Sequence, residues 1–224
     1  MKELNKEPNY NKDNIIDKGS SAVIYELSNN TCYKKIYNKD YISEFQTKVL
    51  ETIKNLKLYN FCKINDIYYN NEGKVLGYSM PIYQNIDASI LSMPKDYLLD
   101  SYRNIYSDIY KLSKNLIYIK DLSAHNVFYA DRGIIIYDYD LYTMGDSIDY
   151  AIIHNKAKLN SLFNELLSYE LTFIYNIDHK IANTKVNELF NARTDINTLE
   201  KSLEKFNRPI DFIRGNYGIH RKHH

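Results

Sequence analysis

The segment at residues 119–142 constrains the fold of this chain more than any other. It contains two runs of β-branched and aromatic residues, Val127–Tyr129 and Ile134–Tyr137, separated by four turn-forming residues. Such runs around a short turn predict a β-hairpin. Because a hairpin returns its two ends to the same place, we expect Asn126, just before it, to lie close to Asp138, just after it.

The side chains at the ends of this hairpin suggest a chemistry. Amide and carboxylate oxygens suit Mg²⁺, especially where substrate phosphates complete its coordination. Asn126 and Asp138 therefore form a candidate magnesium site. Asp121 lies five residues before Asn126 and is free to accept a proton from an attacking hydroxyl. A base beside a phosphate-bound cation is the arrangement that phosphoryl transfer requires.

The order of these residues resembles the protein-kinase-like superfamily. Its catalytic loop reads D-x-x-x-x-N, and the metal-binding Asp of D-F-G follows about a dozen residues later. Here the loop runs from Asp121 to Asn126, and the later motif is Asp138-Tyr139-Asp140. The D-L-S-x-x-N wording is closest to atypical, RIO-type kinases. The resemblance implies that Asp121 is the base and that Asn126 and Asp138 hold Mg²⁺ or Mn²⁺. Asp140, where the family has Gly, either adds a metal ligand or faces solvent.

Residues 15–25 resemble the glycine-rich loop that covers the phosphates in this family. Gly19 is the only one of its three glycines that is present, and Asp17 stands at the first position. Small residues such as Ser20 would still let backbone N–H groups approach a phosphate. The resemblance assigns Gly19, Ser20 and Ile24 to nucleotide binding.

Residues 31–37 resemble the family's V-A-I-K strand, whose lysine contacts the phosphates. Strand alternation places Cys32 and Lys34 on one face and Lys35 on the other. The small Cys32, two residues before Lys34, suits the position that covers the adenine and favours Lys34. Ile36, directly after Lys35, favours Lys35 instead. Both lysines remain candidates for phosphate binding, with Lys34 preferred.

Apolar side chains recur at helical spacing over residues 40–58, which predicts a helix. The resemblance makes this the family's regulatory helix, whose Glu holds the strand lysine. Gln46 occupies the Glu position. Its amide can hydrogen-bond Lys34 but forms a weaker, uncharged clamp.

The next strands are predicted at residues 64–69 and 74–80, around a strong turn signal at residues 70–73. The segment that follows resembles the gatekeeper and hinge of the family. Met80 is expected to back the adenine pocket. The proline after it has no N–H, so the backbone of Ile82 or its neighbour is expected to meet the adenine edge.

Periodic apolar residues predict helices at residues 96–117, 147–169, 171–190 and 196–206. The first is expected to hold the catalytic loop in place. The sequence has no A-P-E motif after residue 142. The resemblance therefore implies an α+β, bilobal protein-kinase-like fold. Residues 1–82 would form a small antiparallel-sheet N-lobe, and residues 83–224 a reduced helical C-lobe.

The resemblance implies an ATP- and Mg²⁺-dependent phosphotransferase similar to atypical Ser/Thr protein kinases, acting on a protein or a small molecule. A pseudokinase is one alternative, motivated by Gln46, Asp17 and Ser123 where the family has Glu, Gly and Lys. A small-molecule kinase of the aminoglycoside or choline type is another, motivated by the missing peptide-docking segment. Those families usually carry His-Gly before the base, whereas Ile-Lys precedes Asp121 here.

Composition narrows the possible partners and location of the protein. A formal net charge of +1 gives no basic field, so a nucleic-acid partner is not expected. Cys32 and Cys62 are expected to be buried free thiols. Residues 1–17 have no apolar signal-peptide core, and no apolar run is long enough to span a bilayer. We therefore expect a cytoplasmic protein without a membrane partner, of unspecified oligomeric state.

Overall fold

The structure is a computed structural model that describes residues 6–28, 30–37, 44–86, 89–130, 133–191 and 193–215. Its first part is a five-stranded antiparallel sheet with one helix, and the part that follows is mainly helical. The chain is therefore α+β, as the sequence predicts. The lobe boundary at residue 82 stays a prediction.

The sheet has the strand order β1-β2-β3-β5-β4, and all neighbours are antiparallel. Its strands are β1 Ile15–Lys18, β2 Ala22–Glu26, β3 Thr31–Ile36, β4 Asp66–Tyr69 and β5 Val75–Pro81. Lys34 lies opposite Ile24 of β2 and Tyr78 of β5. This register places Lys34 on the central strand, where the neighbouring strands β2 and β5 shield it from solvent.

The approach of β5 to β3 beside this lysine depends on Gly77. A Cβ atom at this position would lie 2.1 Å from the carbonyl oxygen of Lys34. Heavy atoms that are not bonded cannot come so close, so a larger residue would push the two strands apart. Gly77 thus helps to fix the strand that carries Lys34.

Helix α1 runs over Glu44–Asn55, within the predicted range of residues 40–58. The first four predicted residues lie outside the described part of the chain. Val49, Leu50 and Ile53 are buried, as the helical spacing requires.

The second part begins with helix α2, Lys95–Lys114. The prediction extended this helix to residue 117, but Leu116 has a φ of +60°, which ends it. Ile117–Tyr118 instead forms the short strand β6. The predicted hairpin is confirmed: β7, Val127–Ala130, pairs with β8, Gly133–Ile136.

Within the described residues after 142, the structure has a short strand and four helices: β9 Thr143–Met144, α3 Ile148–Phe173, α4 His179–Leu189, α5 Ile196–Leu203 and α6 Pro209–Gly215. The prediction of one helix over residues 171–190 is wrong. Asp178 interrupts it, because its side chain caps α4 by accepting hydrogen bonds from the N–H groups of Lys180 and Ile181. Helix α6 was not predicted. None of the helices within the described ranges is long and apolar enough to cross a membrane.

The segment at residues 59–62 ties the two parts of the molecule together. The buried carboxylate of Asp108 on α2 accepts hydrogen bonds from the N–H groups of Tyr59 and Asn60, at 2.6 and 2.7 Å. Ile136 of β8 donates its N–H to Asn60 O and accepts from Cys62 N, both at 2.7 Å. Residues 59–62 therefore run alongside the hairpin. Both cysteines of the chain are buried and free, as predicted.

Replacing Gly77 by Ala is expected to destabilise the fold, because the added methyl overlaps the backbone of β3. Overpacking of this kind costs about 1–3 kcal/mol, which lowers the Tm of a chain of this size by roughly 2–12 °C. Thermal unfolding followed by circular dichroism measures the change. Gly19→Ala is the control, since its Cβ would lie 3.9 Å from Ala22 O, an ordinary van der Waals contact. Equal losses in both variants would contradict the role of Gly77.

Candidate functional site

Lys34 is a buried cation at the centre of the candidate site. Its side chain is only 6% exposed, and its Nζ lies 2.8 Å from Asp138 Oδ1 and 2.9 Å from Asp140 Oδ2. The ammonium also lies 5.9 Å from the centre of the Tyr78 ring. A buried ammonium needs such partners because loss of water disfavours its charge. The two ion pairs join β3 to the segment that follows β8.

Lys35 lies on the other side of the strand, as the alternation of side chains predicts. Its Nζ is 2.7 Å from Glu7 Oε1 and donates to the Tyr10 hydroxyl at 2.7 Å. Lys34, and not Lys35, therefore faces Asp138 and Asp140. Which lysine contacts a phosphate stays a prediction, with Lys34 preferred.

The three charges of this ion-pair cluster shift one another's pKa. Burial opposes the charge of Lys34, but Asp140 and Asp138 together raise the pKa of its ammonium. Burial also opposes the charge of Asp138, yet Lys34 lowers the pKa of this carboxyl. For Asp140, burial raises the pKa, and the neighbouring Asp138 adds to this against the attraction of Lys34. Burial is thus the largest influence on both carboxyls, and Lys34 opposes it in each.

Asp140 is held by contacts from three parts of the chain. Its side chain is 7% exposed, so the prediction that it faces solvent is wrong. The Ser21 hydroxyl donates to its Oδ2 at 3.3 Å. Its backbone N–H donates to Asp138 Oδ1 at 3.0 Å. Its Oδ1 is buried and has no hydrogen-bond partner within the described ranges.

Gln46 was expected to hold Lys34, and the hydrogen bond that the structure shows runs to a different group. Its Nε2 donates to the backbone carbonyl of Asp140 at 2.6 Å. Gln46 therefore holds the residue that pairs with Lys34. The sequence could not reveal this contact, because the two partners are 94 positions apart.

Asp138 adopts an unusual backbone conformation. Its φ is +72°, in the left-handed region that Asp tolerates better than most residues other than Gly. Two residues apart, Asp138 and Asp140 both reach the Nζ of Lys34. The positive φ belongs to the turn that brings the two carboxylates to one ammonium.

The catalytic-loop candidates, Asp121 and Asn126, precede the hairpin in the chain, whereas Asp138 follows it. Asn126 Nδ2 donates to Asp121 Oδ2 at 3.0 Å, so the amide orients this carboxylate. The backbone oxygen of Asn126 accepts from the N–H of Tyr137 at 3.0 Å. The hairpin therefore places Asn126 against the residue next to Asp138, as expected from chain reversal.

The buried side chain of Tyr142 lies near two acidic residues, Asp138 and Asp121. The hydroxyl of Tyr142 is buried and has no hydrogen-bond partner within the part of the chain described. Its pKa is raised well above the usual value, first by burial and then by the charges of Asp138 and Asp121. Both carboxylates therefore lie close enough to influence one hydroxyl. Sequence reasoning missed both Tyr142 and Tyr78. The position of Tyr78 opposite Lys34 could have been inferred from the pairing of β3 with β5.

A small cleft opens between the sheet and the hairpin. Its volume is about 70 Å³. Its lining residues include three nucleotide-binding candidates, Gly19, Ile24 and Met80, beside the ion pair. The full lining is Asp17, Gly19, Ser21, Ala22, Ile24, Lys34, Met80, Tyr137 and Asp138.

Three other candidates for nucleotide binding have different surroundings. Ser20 is exposed. Cys32 is buried in the sheet, with its Sγ 3.6 Å from Met80 O, and burial raises the pKa of its thiol to about 11. The N–H of Ile82 donates to Asn30 O at 2.8 Å. This N–H is thus used within the sheet, because pairing of β3 with β5 continues past Pro81, and the contact of Ile82 or its neighbour with an adenine stays a prediction.

The donors around the ion pair fit a weakly held divalent cation. Within the described ranges, no group of three or more His, Cys, Asp or Glu residues is arranged to hold a metal. The side chain of Asp138 is 32% exposed and lines the cleft. The Nδ2 of Asn126 donates a hydrogen bond to Asp121. One carboxylate and one amide oxygen suit Mg²⁺, which keeps water or substrate phosphates as its other ligands.

A scan against protein-family models found no match for this chain, and a search of curated proteins found no significant similarity. The resemblance of residues 15–142 to a family therefore rests on motif order and on the contacts described above.

Lys34→Met is expected to destabilise the protein in a pH-dependent manner. Without the ammonium, burial and mutual repulsion hold the pKa of both carboxyls above their unfolded value of about 3.9. Groups with a raised folded-state pKa stabilise the fold at low pH, and this contribution is lost as pH rises. The loss relative to the parent should be about 3–5 kcal/mol at pH 7 and clearly smaller near pH 4.5.

Urea unfolding at both pH values measures the effect. Lys35→Met is the matched control, because its partner Glu7 is partly exposed and such pairs contribute about 0–1 kcal/mol. A penalty for Lys34→Met that is equal at the two pH values would contradict the burial of the two carboxylates as ions.

Proposed function

We propose that this chain is an ATP- and Mg²⁺-dependent phosphotransferase of the protein-kinase-like superfamily, with a sheet-based N-lobe and a reduced helical C-lobe. One observation carries the proposal. A buried lysine of the sheet, Lys34, pairs with Asp138, which follows a hairpin, and the hydrogen-bonded pair Asp121 and Asn126 precedes the same hairpin. The order of base candidate, metal-binding candidates and hairpin along the chain is the one that the family resemblance implies, which supports the proposal.

Asp121 is the proposed base. The Asn126 amide donates to one carboxylate oxygen and so fixes the direction of the other. A substrate hydroxyl beside Asp121 would pass its proton to this carboxylate as its oxygen attacks the phosphorus atom. The acceptor is a protein or a small molecule.

Asp138 and the amide oxygen of Asn126 are the proposed ligands of Mg²⁺ or Mn²⁺. The divalent cation, when bound, neutralises charge on the phosphates. Lys34 would contact the phosphates, while Ile24 and Met80 would border the adenine. Gly19 lets the loop between β1 and β2 approach the phosphates without a side chain.

Nucleotide binding requires the cleft to widen. Small-molecule sites usually enclose about 300–1,000 Å³, whereas this cleft holds about 70 Å³. The loop between β1 and β2 is held by contacts from Ser21 to Asp140 and from the Tyr37 hydroxyl to Gly19 O, and by the Tyr37 N–H, which donates to Ser21 O at 3.0 Å. Lifting this loop would break these contacts and open the cleft beside Lys34.

A second candidate is a nucleotide-binding protein of the same fold without efficient turnover. It is favoured by Gln46, which brings no charge to the position where the family has Glu, and whose Nε2 donates to the backbone carbonyl of Asp140. Binding of ATP without phosphate transfer would support this function.

Asp121→Asn is expected to abolish most phosphate transfer and to leave ATP binding intact, because the carboxylate acts on the acceptor proton. The loss in kcat should be about 10²- to 10⁴-fold, the usual contribution of such a base. Transfer of labelled γ-phosphate to protein and small-molecule acceptors measures turnover, and thermal shift with ATP and Mg²⁺ measures binding.

Asp149→Asn is the control for this experiment, because it makes the same chemical change on an exposed position of α3. Undiminished transfer by Asp121→Asn would rule out the assigned base. A parent protein whose Tm does not respond to ATP at any Mg²⁺ concentration would overturn both candidate functions.

A further inference from the structure

We infer that Asp140 is a positioning residue: it is the lasting counter-ion of Lys34 and thereby leaves Asp138 available to a divalent cation. The role toward the cation rests on the proposed function, whereas the role toward Lys34 does not. This assignment differs from the expectation that Asp140 is itself a metal ligand.

The two carboxylates that share Lys34 differ in their access to the cleft. Their distances to Nζ are nearly equal, at 2.8 Å for Asp138 and 2.9 Å for Asp140. However, the side chain of Asp138 is 32% exposed and lines the cleft, whereas that of Asp140 is 7% exposed. A cation that enters from the cleft therefore meets Asp138 first.

Contacts from three elements fix Asp140 in place. Gln46 of α1 holds its backbone carbonyl, and Ser21 of the loop after β1 donates to the same carboxylate oxygen that pairs with Lys34. Its own N–H is bonded to Asp138. A carboxylate that is held in this way can keep Lys34 in position while Asp138 changes partners.

Loss of the Asp140 charge would create a competition. Among the described residues, Asp138 Oδ1 would then be the only carboxylate oxygen within ion-pairing distance of Nζ, and it is also the oxygen that accepts from Asp140 N. A divalent cation would have to take from Lys34 this last carboxylate, so that the buried ammonium would depend on the phosphates alone for its counter-charge, which is unfavourable. The charge of Asp140 therefore supports cation binding from a distance.

The first test is a titration of Mg²⁺ at a fixed ATP concentration, read as the rise in Tm of the full chain. Asp140→Asn is expected to raise the half-saturating Mg²⁺ concentration at least about fivefold, which corresponds to about 1 kcal/mol. Asp149→Asn, which makes the same chemical change at an exposed position of α3, should stay within about twofold.

Two outcomes of this titration would overturn the inference. An unchanged midpoint in Asp140→Asn would show that its charge does not support the cation. A complete loss of the Mg²⁺ response that no concentration restores would instead make Asp140 a direct ligand.

The second test does not depend on nucleotide binding. A double-mutant cycle compares the Tm of the parent, Lys34→Met, Asp140→Asn and the double variant. Asp140→Asn should lower the Tm in the parent, where it breaks the ion pair with Lys34. In the Lys34→Met background it should not lower the Tm, because there the substitution removes a buried carboxylate that has lost its ammonium partner. The two effects should differ by at least roughly 2 °C.

Additive effects in this cycle would overturn the pairing of Asp140 with Lys34. If the cycle shows coupling and the parent does not respond to ATP with Mg²⁺, the proposed function fails and the role of Asp140 as a counter-ion stands. The two failures are therefore distinguishable.

Discussion

The attraction between one buried ammonium and two carboxylates is the interaction on which the site depends. Lys34 lies on the central strand of the sheet, and Asp138 and Asp140 lie more than a hundred residues later along the chain. Lys34 and Asp140 have lost nearly all of their water, so neither charge would be tolerated in this place without an opposite charge beside it. The ion pairs thus help to specify how the sheet meets the segment that follows the hairpin.

The parts of the site that depend on local patterns could be predicted from the sequence. Alternation along β3 separates Lys34 from Lys35, whichever partners they find, because successive side chains of a strand point to opposite faces. The turn between β7 and β8 returns Asn126 to the neighbourhood of Asp138 for an equally local reason. Burial of α1 and α2 follows from the spacing of their apolar residues.

Contacts between distant segments could not be predicted in this way. The Ile82 N–H is taken by Asn30, because the two strands remain paired one residue beyond the expected end. Gln46 meets a carbonyl and Asp140 is buried, because the turn at Asp138 directs the chain back under the sheet. Each of these outcomes depends on the angle at which two elements meet, and single-sequence patterns carry no information about that angle.

The segment at residues 59–62 has a mechanical consequence for the cleft. It is attached to β8 by two backbone hydrogen bonds of 2.7 Å through Ile136, and to α2 by the carboxylate of Asp108. The contacts across the cleft, from Lys34 and Ser21, are made by side chains, which can exchange partners without loss of secondary structure. If these side-chain contacts exchanged partners, residues 59–62 would therefore stay attached to the hairpin and to α2 through their backbone.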